Sequence, residues 1–282
     1  MKGSLCLNFD MLLNGLPLLM ALVTTGIVAG LIAGLLGVGG GLVIVPVLYW
    51  VFQSVGVDAA AAILMATGTS LTTIIFTSIA SARAHYRYGN VDVPLFRRWA
   101  VPMLFGVVIG GWVSTRVDGS VLTGLFGSVA SLIALNRLFR PNTTVVWDQL
   151  PSVVVQSGLA AVIGLTSVMM GVGAGTLGVA IMTSYNMQVH RAVGTAALFG
   201  CVIALPGAIM MLLNSGSPAD SPVGTVGFVS IPGVLVIVPM TTLFVPVGVR
   251  LGSQLNAQKL QQIFAIFLML VGAAMLWSTI AE

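Results

Sequence analysis

Gly37-Val38-Gly39-Gly40-Gly41 interrupts an apolar run that extends from residue 16 to residue 55, and Gly171-Val172-Gly173-Ala174-Gly175 interrupts a second run, from 152 to 187. Each run is too long for one membrane-crossing helix, which needs roughly 20 residues at a rise of about 1.5 Å per residue. Each therefore reads as a helix, a glycine break and a shorter helix. Working outward, six further apolar runs, at 59–82, 95–115, 120–139, 190–213, 228–249 and 258–279, are each long enough for one full crossing. The composition agrees: 57% of the 282 residues are hydrophobic and 6% are charged, with a mean hydropathy of +1.08. A soluble domain, typically about 25% charged, is excluded. The seven acidic and eleven basic residues lie almost entirely between or at the ends of apolar runs, as in a polytopic helical membrane protein. No stretch is left for a soluble catalytic domain.

The two breaks belong to an internal repeat. Gly37–Gly41 matches Gly171–Gly175, Gly68-Thr69 matches Gly194-Thr195, Val101-Pro102-Met103 matches Val238-Pro239-Met240, and Leu122 and Phe126 match Leu260 and Phe264. The landmarks keep the same order in both halves. The expected organisation is a first membrane repeat over 1–140, a cytoplasmic linker over 141–151 and a second membrane repeat over 152–282. Lys2 and the apolar stretch after it resemble a signal peptide, but Asp10 interrupts that stretch and no small-residue cleavage site follows, so a first membrane segment is expected.

Charge sets the orientation. The segment after the first Gly-Thr run carries Arg83, His85, Arg87, Arg97 and Arg98, whereas its counterpart, 214–227, has no Lys or Arg and one Asp220. Placing 83–98 in the cytoplasm also places Arg137, Arg140, Arg191, Arg250 and Lys259 there, provided each broken stretch enters and leaves on the same side. Lys2 and Arg116 are then the exceptions. If each broken stretch crossed once, Arg116, Arg191, Arg250 and Lys259 would all lie outside. The expected fold is thus an all-α polytopic membrane protein of two inverted-topology repeats, each a Gly-broken helical hairpin plus three transmembrane helices. Such repeats with interrupted helices are the layout of many secondary transporters, which bind substrate near the bilayer midplane.

A break inside the membrane frees backbone N–H groups that lipid cannot satisfy. The helices restarting at Gly39–Gly41 and Gly173–Thr176 offer N-terminal donors and the positive end of a dipole, which favour an anion. Thr176 could cap its helix. Small residues equally allow close helix packing, and both readings stand for these glycines. Beside them lie Thr67-Gly68-Thr69-Ser70 with Thr72 and Thr73, and Gly194-Thr195. Their hydroxyls could donate to an oxyanion without fixed charge, or bond back to their own helix or bridge helices. Arg83, His85, Arg87, His190 and Arg191 form a positive mouth that raises the local anion concentration, although insertion alone also selects basic residues there.

Absences narrow the class. No Asp or Glu falls within a predicted span, which disfavours carboxylate-based proton coupling and cation sites. An anion leaving a cell needs neither, because an inside-negative potential supplies roughly 2.3 kcal/mol per charge per 100 mV. No phosphate-binding loop motif, Ser-His-Asp set, metal-ligand cluster or basic stripe with interleaved aromatics is present. Cys6 and Cys201 suggest neither a disulfide framework nor a metal site. No enzyme, cofactor, metal or nucleic acid is expected. A homodimer through small residues such as Gly106, Gly110 and Gly111 is compatible with the spacing.

The repeated Gly-Val-Gly-Gly-Gly and Gly-Val-Gly-Ala-Gly breaks, each followed by Ala-Thr-Gly-Thr-Ser (66–70) or Ala-Val-Gly-Thr-Ala (192–196), resemble the TauE/SafE family of sulfite exporters, also called the 4-toluene sulfonate uptake permease family. The resemblance extends from about Leu16 to Trp277. It implies a multi-pass carrier of the bacterial cytoplasmic (inner) membrane for sulfur-containing anions, sulfite or sulfonates. The matching positions for substrate contact are Gly37, Gly39, Gly40, Gly41, Thr67, Gly68, Thr69, Ser70, Gly171, Gly173, Gly175, Thr176, Gly194 and Thr195, with Arg83, Arg87, His190 and Arg191 at a cytoplasmic entry. The second copy departs in having Ala174 for Gly40 and Ala196 for Ser70. The expected function is export of sulfite or a related oxyanion by alternating access. A carrier or channel for an organosulfonate or other small anion, and a non-transporting membrane scaffold subunit, are the alternatives.

Overall fold

The computed structural model describes residues 3–37, 39–139, 151–214, 218, 220–252 and 257–281, without the side chains of 3–16, 36, 137, 257–261 and 281. Most of the linker expected over 141–151, and the repeat landmark Leu260 as a side chain, lie outside the described residues. The elements run α1 (Gly3–Leu36), α2 (Gly41–Ser54), α3 (Ala59–Arg87), α4 (Val93–Ser114) and α5 (Gly119–Phe139), then α6 (Val153–Met170), α7 (Leu177–Ser184), α8 (Val189–Leu212), β1 (Thr225–Val226), β2 (Val229–Ser230), α9 (Ile231–Gly252) and α10 (Ala257–Ala281). Among the described residues eight helices, not six, are long and apolar enough to cross a bilayer, because Pro17–Leu35 in α1 and Val153–Met170 in α6 reach full span length before their breaks.

Glycine ends both of those helices. Gly37 and Gly171 adopt φ of +67°, the left-handed conformation that lets a chain leave a helix and turn back. After Gly37 the chain retraces α1, so that Gly40 lies beside Ala29, about two turns before the helix end. The short helix α2 starts there, inside the protein, and α3 follows after a four-residue turn capped by Asp58, whose carboxylate accepts from the Ala60 N–H at 3.0 Å. The broken stretch is therefore a full-length helix with a shorter return.

Small residues set the helix pairs. Gly26, Gly30 and Gly34 recur every fourth residue on α1, and a Cβ at each would collide with the backbone or Cβ of Ile237, Met240, Thr241 or Val245 on α9. The two helices run parallel in backbone contact, as small-residue spacing allows in membranes. On α4, Gly106 and Gly110 meet Ala161 and Leu165 of α6, and Gly164 of α6 meets Met103, again in parallel. Gly111 meets Met210 of α8. This corrects the expectation for Gly106, Gly110 and Gly111: they are occupied within the chain and offer no face to a second copy. Helices α3 and α8 run antiparallel, with Gly68 against Met211, Gly200 against Ser78 and Gly194 against His85; α5 and α10 do likewise, with Gly127 against Leu276 and Gly272 against Ser131.

The core lies where α2, α3, α4 and α8 converge. Trp99, Tyr49 and Phe199 are fully buried there, as is Phe126 on α5. The Trp99 and Phe199 rings lie 5.9 Å apart, and the Trp99 indole donates to Gln156 Oε1 at 3.1 Å, joining α4 to α6. Arg83, Arg87, Arg97, Arg98, Arg191 and Arg250 all belong to helix ends that meet at one end of the bundle, while Arg116, after α4, lies at the other.

Candidate functional site

The two glycine breaks touch. A Cβ on Gly41 would stand 2.6 Å from the Gly171 carbonyl oxygen and 3.0 Å from Val172 Cα, so only hydrogen there allows the breaks to meet. Gly39, Gly40 and Gly41, and every residue from Gly171 to Thr176, are buried. Neither α2 nor α7 has a side-chain cap on its first turn. Thr176 does not cap α7: its backbone is already helical (φ −78°, ψ −64°), which turns the hydroxyl away from the first-turn N–H groups. Two uncapped helix N-termini are thus held inside the protein, where their N–H groups and dipoles favour negative charge.

Helix α3 supplies hydroxyls to both breaks. Ser70 Oγ donates to the Gly171 carbonyl at 2.7 Å, and Thr77 Oγ1 lies 3.2 Å from the Gly39 carbonyl, shared with the Thr73 and Ile74 carbonyls. Both side chains are fully buried. At the equivalent positions α8 carries Ala196 and Ile203, so the hydroxyl support comes from one half. Thr77 was missed in the sequence because nothing local distinguishes it from a helical Thr bonding to its own backbone.

Thr69 and Thr195 play a matched part. The Ser230 N–H donates to Thr69 Oγ1 at 2.9 Å, and the Asp92 N–H donates to Thr195 Oγ1 at 2.9 Å. Each threonine thereby fixes the segment leading into α9 or α4. The glycine before each threonine makes room: a Cβ on Gly68 would lie 2.5 Å from the Phe228 carbonyl, and one on Gly194 would collide with the Asn90 carbonyl. Gly-Thr is thus a paired device that clamps the chain of the opposite half.

Thr67 differs from its neighbours. It is fully buried, and its hydroxyl has no hydrogen-bond partner. A Cβ on Gly171 would lie 2.8 Å from the Thr67 Cα and 3.1 Å from its methyl carbon, so Thr67 packs on the second break through its backbone and methyl group. At the corresponding place Val193 packs against Gly37. A buried hydroxyl without a partner is unusual enough in a folded protein to require an occupant or a function.

The expected entry residues lie at the basic end. Arg83, Arg87, His190 and Arg191 are exposed, and Arg191 pairs with Asp92 at 3.1 Å. Asp92 also caps α4, accepting from the Leu95 N–H at 3.0 Å. That carboxylate was missed in the sequence, although Asp before Val-Pro is a helix-start signal. Among the described residues no group of three or more His, Cys, Asp or Glu could hold a metal ion.

The sulfite exporter TauE/SafE family model matches residues 22–275, which takes in both breaks and the site residues just described. The chain belongs to this family. It is also similar to proteins named "probable membrane transporter protein" in Haemophilus influenzae (29% identical, 89% of this chain and 95% of the relative), Methanocaldococcus jannaschii (23%, 96% and 98%) and Bacillus subtilis (24%, 92% and 97%). No solved structure matches. This TauE/SafE chain is accordingly a multi-pass membrane transporter and not an enzyme.

Proposed function

We propose that this TauE/SafE protein exports sulfite or a related sulfur-containing oxyanion across the cytoplasmic membrane by alternating access between two inverted-topology repeats, 1–140 and 152–282. The observation that carries the reading is that Thr67, fully buried and with an unpartnered hydroxyl, packs against the second of two touching glycine breaks that each precede an uncapped helix N-terminus. Such a place offers N–H and O–H donors and no fixed charge. It suits an acceptor-only ligand that must be released again, and the described spans hold no Asp or Glu to repel it.

The repeat reading is supported by matched pairs: α1 with α9 and α4 with α6 in parallel, α3 with α8 and α5 with α10 antiparallel, and the Thr69 and Thr195 clamps. Under this reading the breaks (Gly37, Gly39, Gly40, Gly41; Gly171, Gly173, Gly175, Thr176) and Thr67 contact the anion. Gly68, Thr69, Ser70, Gly194 and Thr195 hold the surrounding backbone in shape. The basic end is cytoplasmic, and Arg83, Arg87, His190 and Arg191 concentrate anions there.

The test is efflux from proteoliposomes with the membrane potential clamped, comparing sulfite, sulfate, thiosulfate and methanesulfonate. Saturable, potential-sensitive sulfite flux supports the assignment. Saturable flux of methanesulfonate alone moves it to a sulfonate carrier, and non-saturable flux to a channel. Absence of flux for all four overturns it.

A further inference from the structure

We infer that the basic end of the bundle holds a second oxyanion-binding pocket, distinct from the breaks, in which His85 and His190 are the principal ligands. The choice of ligand rests on the anion-carrier reading above; the pocket itself rests on its geometry.

The pocket is a cavity of about 140 Å³ between four elements. Gly34 and Leu35 close it from the end of α1, His85, Tyr88 and Asn90 from the end of α3 and the turn after it, His190 from the first turn of α8, and Val249 and Gly252 from the end of α9. A water occupies about 30 Å³ of liquid volume, so there is room for a small oxyanion.

His85 is 4% exposed; neither ring nitrogen makes a well-formed hydrogen bond, although the Gly34 backbone at the end of α1 lies close enough to act on the imidazole. An imidazole always carries at least one N–H donor, and a buried donor facing a cavity calls for an acceptor. The other polar side chains of the wall are a phenol, a carboxamide and a second imidazole, all able to donate. Among the described residues no carboxylate lines the cavity. Asp92, two residues after Asn90, is engaged by Arg191 and by the Leu95 N–H. Facing this end, α3 contributes Arg87, α8 contributes Arg191 and α9 contributes Arg250, while the described side chains of α1 bear no charge. Side chains that can donate, no carboxylate in the described wall and three guanidinium groups facing this end favour an anion.

Backbone packing fixes the position of His85. A Cβ on Gly194 would come within 3.1 Å of His85 Cβ, so the pocket is assembled where α3 of one half meets α8 of the other. That is the contact expected to change as the halves move, and the pocket is a first station for an anion on its way to the breaks.

The chain has two histidines, so histidine-selective ¹⁵N labelling gives two imidazole spin systems, assigned with His190→Gln. Sulfite, sulfate, thiosulfate and methanesulfonate are titrated separately into protein in nanodiscs at constant ionic strength, and flux is measured on the same preparation. Both imidazoles should shift saturably with one apparent Kd for sulfite. Losing one hydrogen-bonding ligand, as in His190→Gln, should weaken the His85 response by about 5- to 10-fold. His85→Gln should raise the flux KM by a similar factor with the maximal rate retained; if that variant fails to fold, the exposed His190→Gln carries the test. Unmoved imidazoles with saturable flux overturn the pocket and leave the carrier standing. Saturable shifts without flux support the pocket and overturn the carrier. Unmoved imidazoles without flux overturn both.

Discussion

Replacing Thr67 by Val should make the protein more stable and the transporter worse. The Thr67 hydroxyl is buried without a partner, and burying such a group costs roughly 1–3 kcal/mol. Valine keeps the branched shape and removes that cost. The fold already accepts it, because Val193 fills the corresponding place against Gly37. The ligand-free Thr67→Val protein should therefore gain about 1–2 kcal/mol and unfold at a higher temperature in detergent. With the anion bound the sign reverses. A hydrogen bond to a charged acceptor contributes about 1.5–3 kcal/mol, so its loss should weaken sulfite affinity by about 10- to 100-fold. The assays are thermal unfolding with and without sulfite, and sulfite KM in proteoliposomes. Thr67→Ser should recover wild-type KM. A hydroxyl with only a structural role cannot raise stability and KM together when lost. Destabilisation by more than about 1 kcal/mol, or higher stability with unchanged KM, would refute the reasoning.

Four further outcomes are expected. Thr69→Val and Thr195→Val should each destabilise by about 1–3 kcal/mol, because the Ser230 or Asp92 N–H loses its acceptor; sulfite KM should stay within about twofold in the folded fraction, and Thr→Ser should restore the unfolding midpoint. Gly41→Ala forces the two breaks apart, since its Cβ would stand 2.6 Å from the Gly171 carbonyl; overpacking of this kind costs about 1–3 kcal/mol and should abolish flux. Gly178→Ala, whose nearest neighbour is Ala174 Cβ at 3.6 Å, should leave both flux and unfolding midpoint near wild type. Asp92→Ala should destabilise by about 1–2 kcal/mol through loss of the α4 cap, and Arg191→Ala by less than about 1 kcal/mol, because its half-exposed side chain makes a solvent-screened pair; comparing the two unfolding midpoints tests the order.

Much of the architecture was legible one residue at a time. Span length, the scarcity of charge and the position of basic residues follow from the cost of placing polar groups in hydrocarbon, which acts on each segment independently of the others. The breaks were legible for the same reason: Gly37–Gly41 and Gly171–Gly175 can be neither continuous helix nor soluble loop. Helices α1 and α6 were undercounted because a chain that leaves a helix and folds back alongside it has the same local composition as one that continues. The packing glycines Gly26, Gly30 and Gly34 carried a local signal, a spacing of four, that went unread beside the more conspicuous break.

The site divides differently. Composition marked Thr67, Thr69, Ser70 and Thr195 alike as hydroxyls beside a break. Their partners come from far along the chain: Ser70 reaches Gly171 across 101 positions, Thr195 receives Asp92 across 103 and Thr69 receives Ser230 across 161. Only the tertiary fold leaves Thr67 with its hydroxyl free and encloses His85 between the ends of four helices. The sequence by itself determined that this is a helical membrane protein built on two broken segments, because hydrophobic burial and backbone satisfaction in a bilayer are local demands. The tertiary structure decided which polar groups are spent on holding the fold and which remain for a ligand, because a hydrogen bond is satisfied only by what lies within about 3 Å of it.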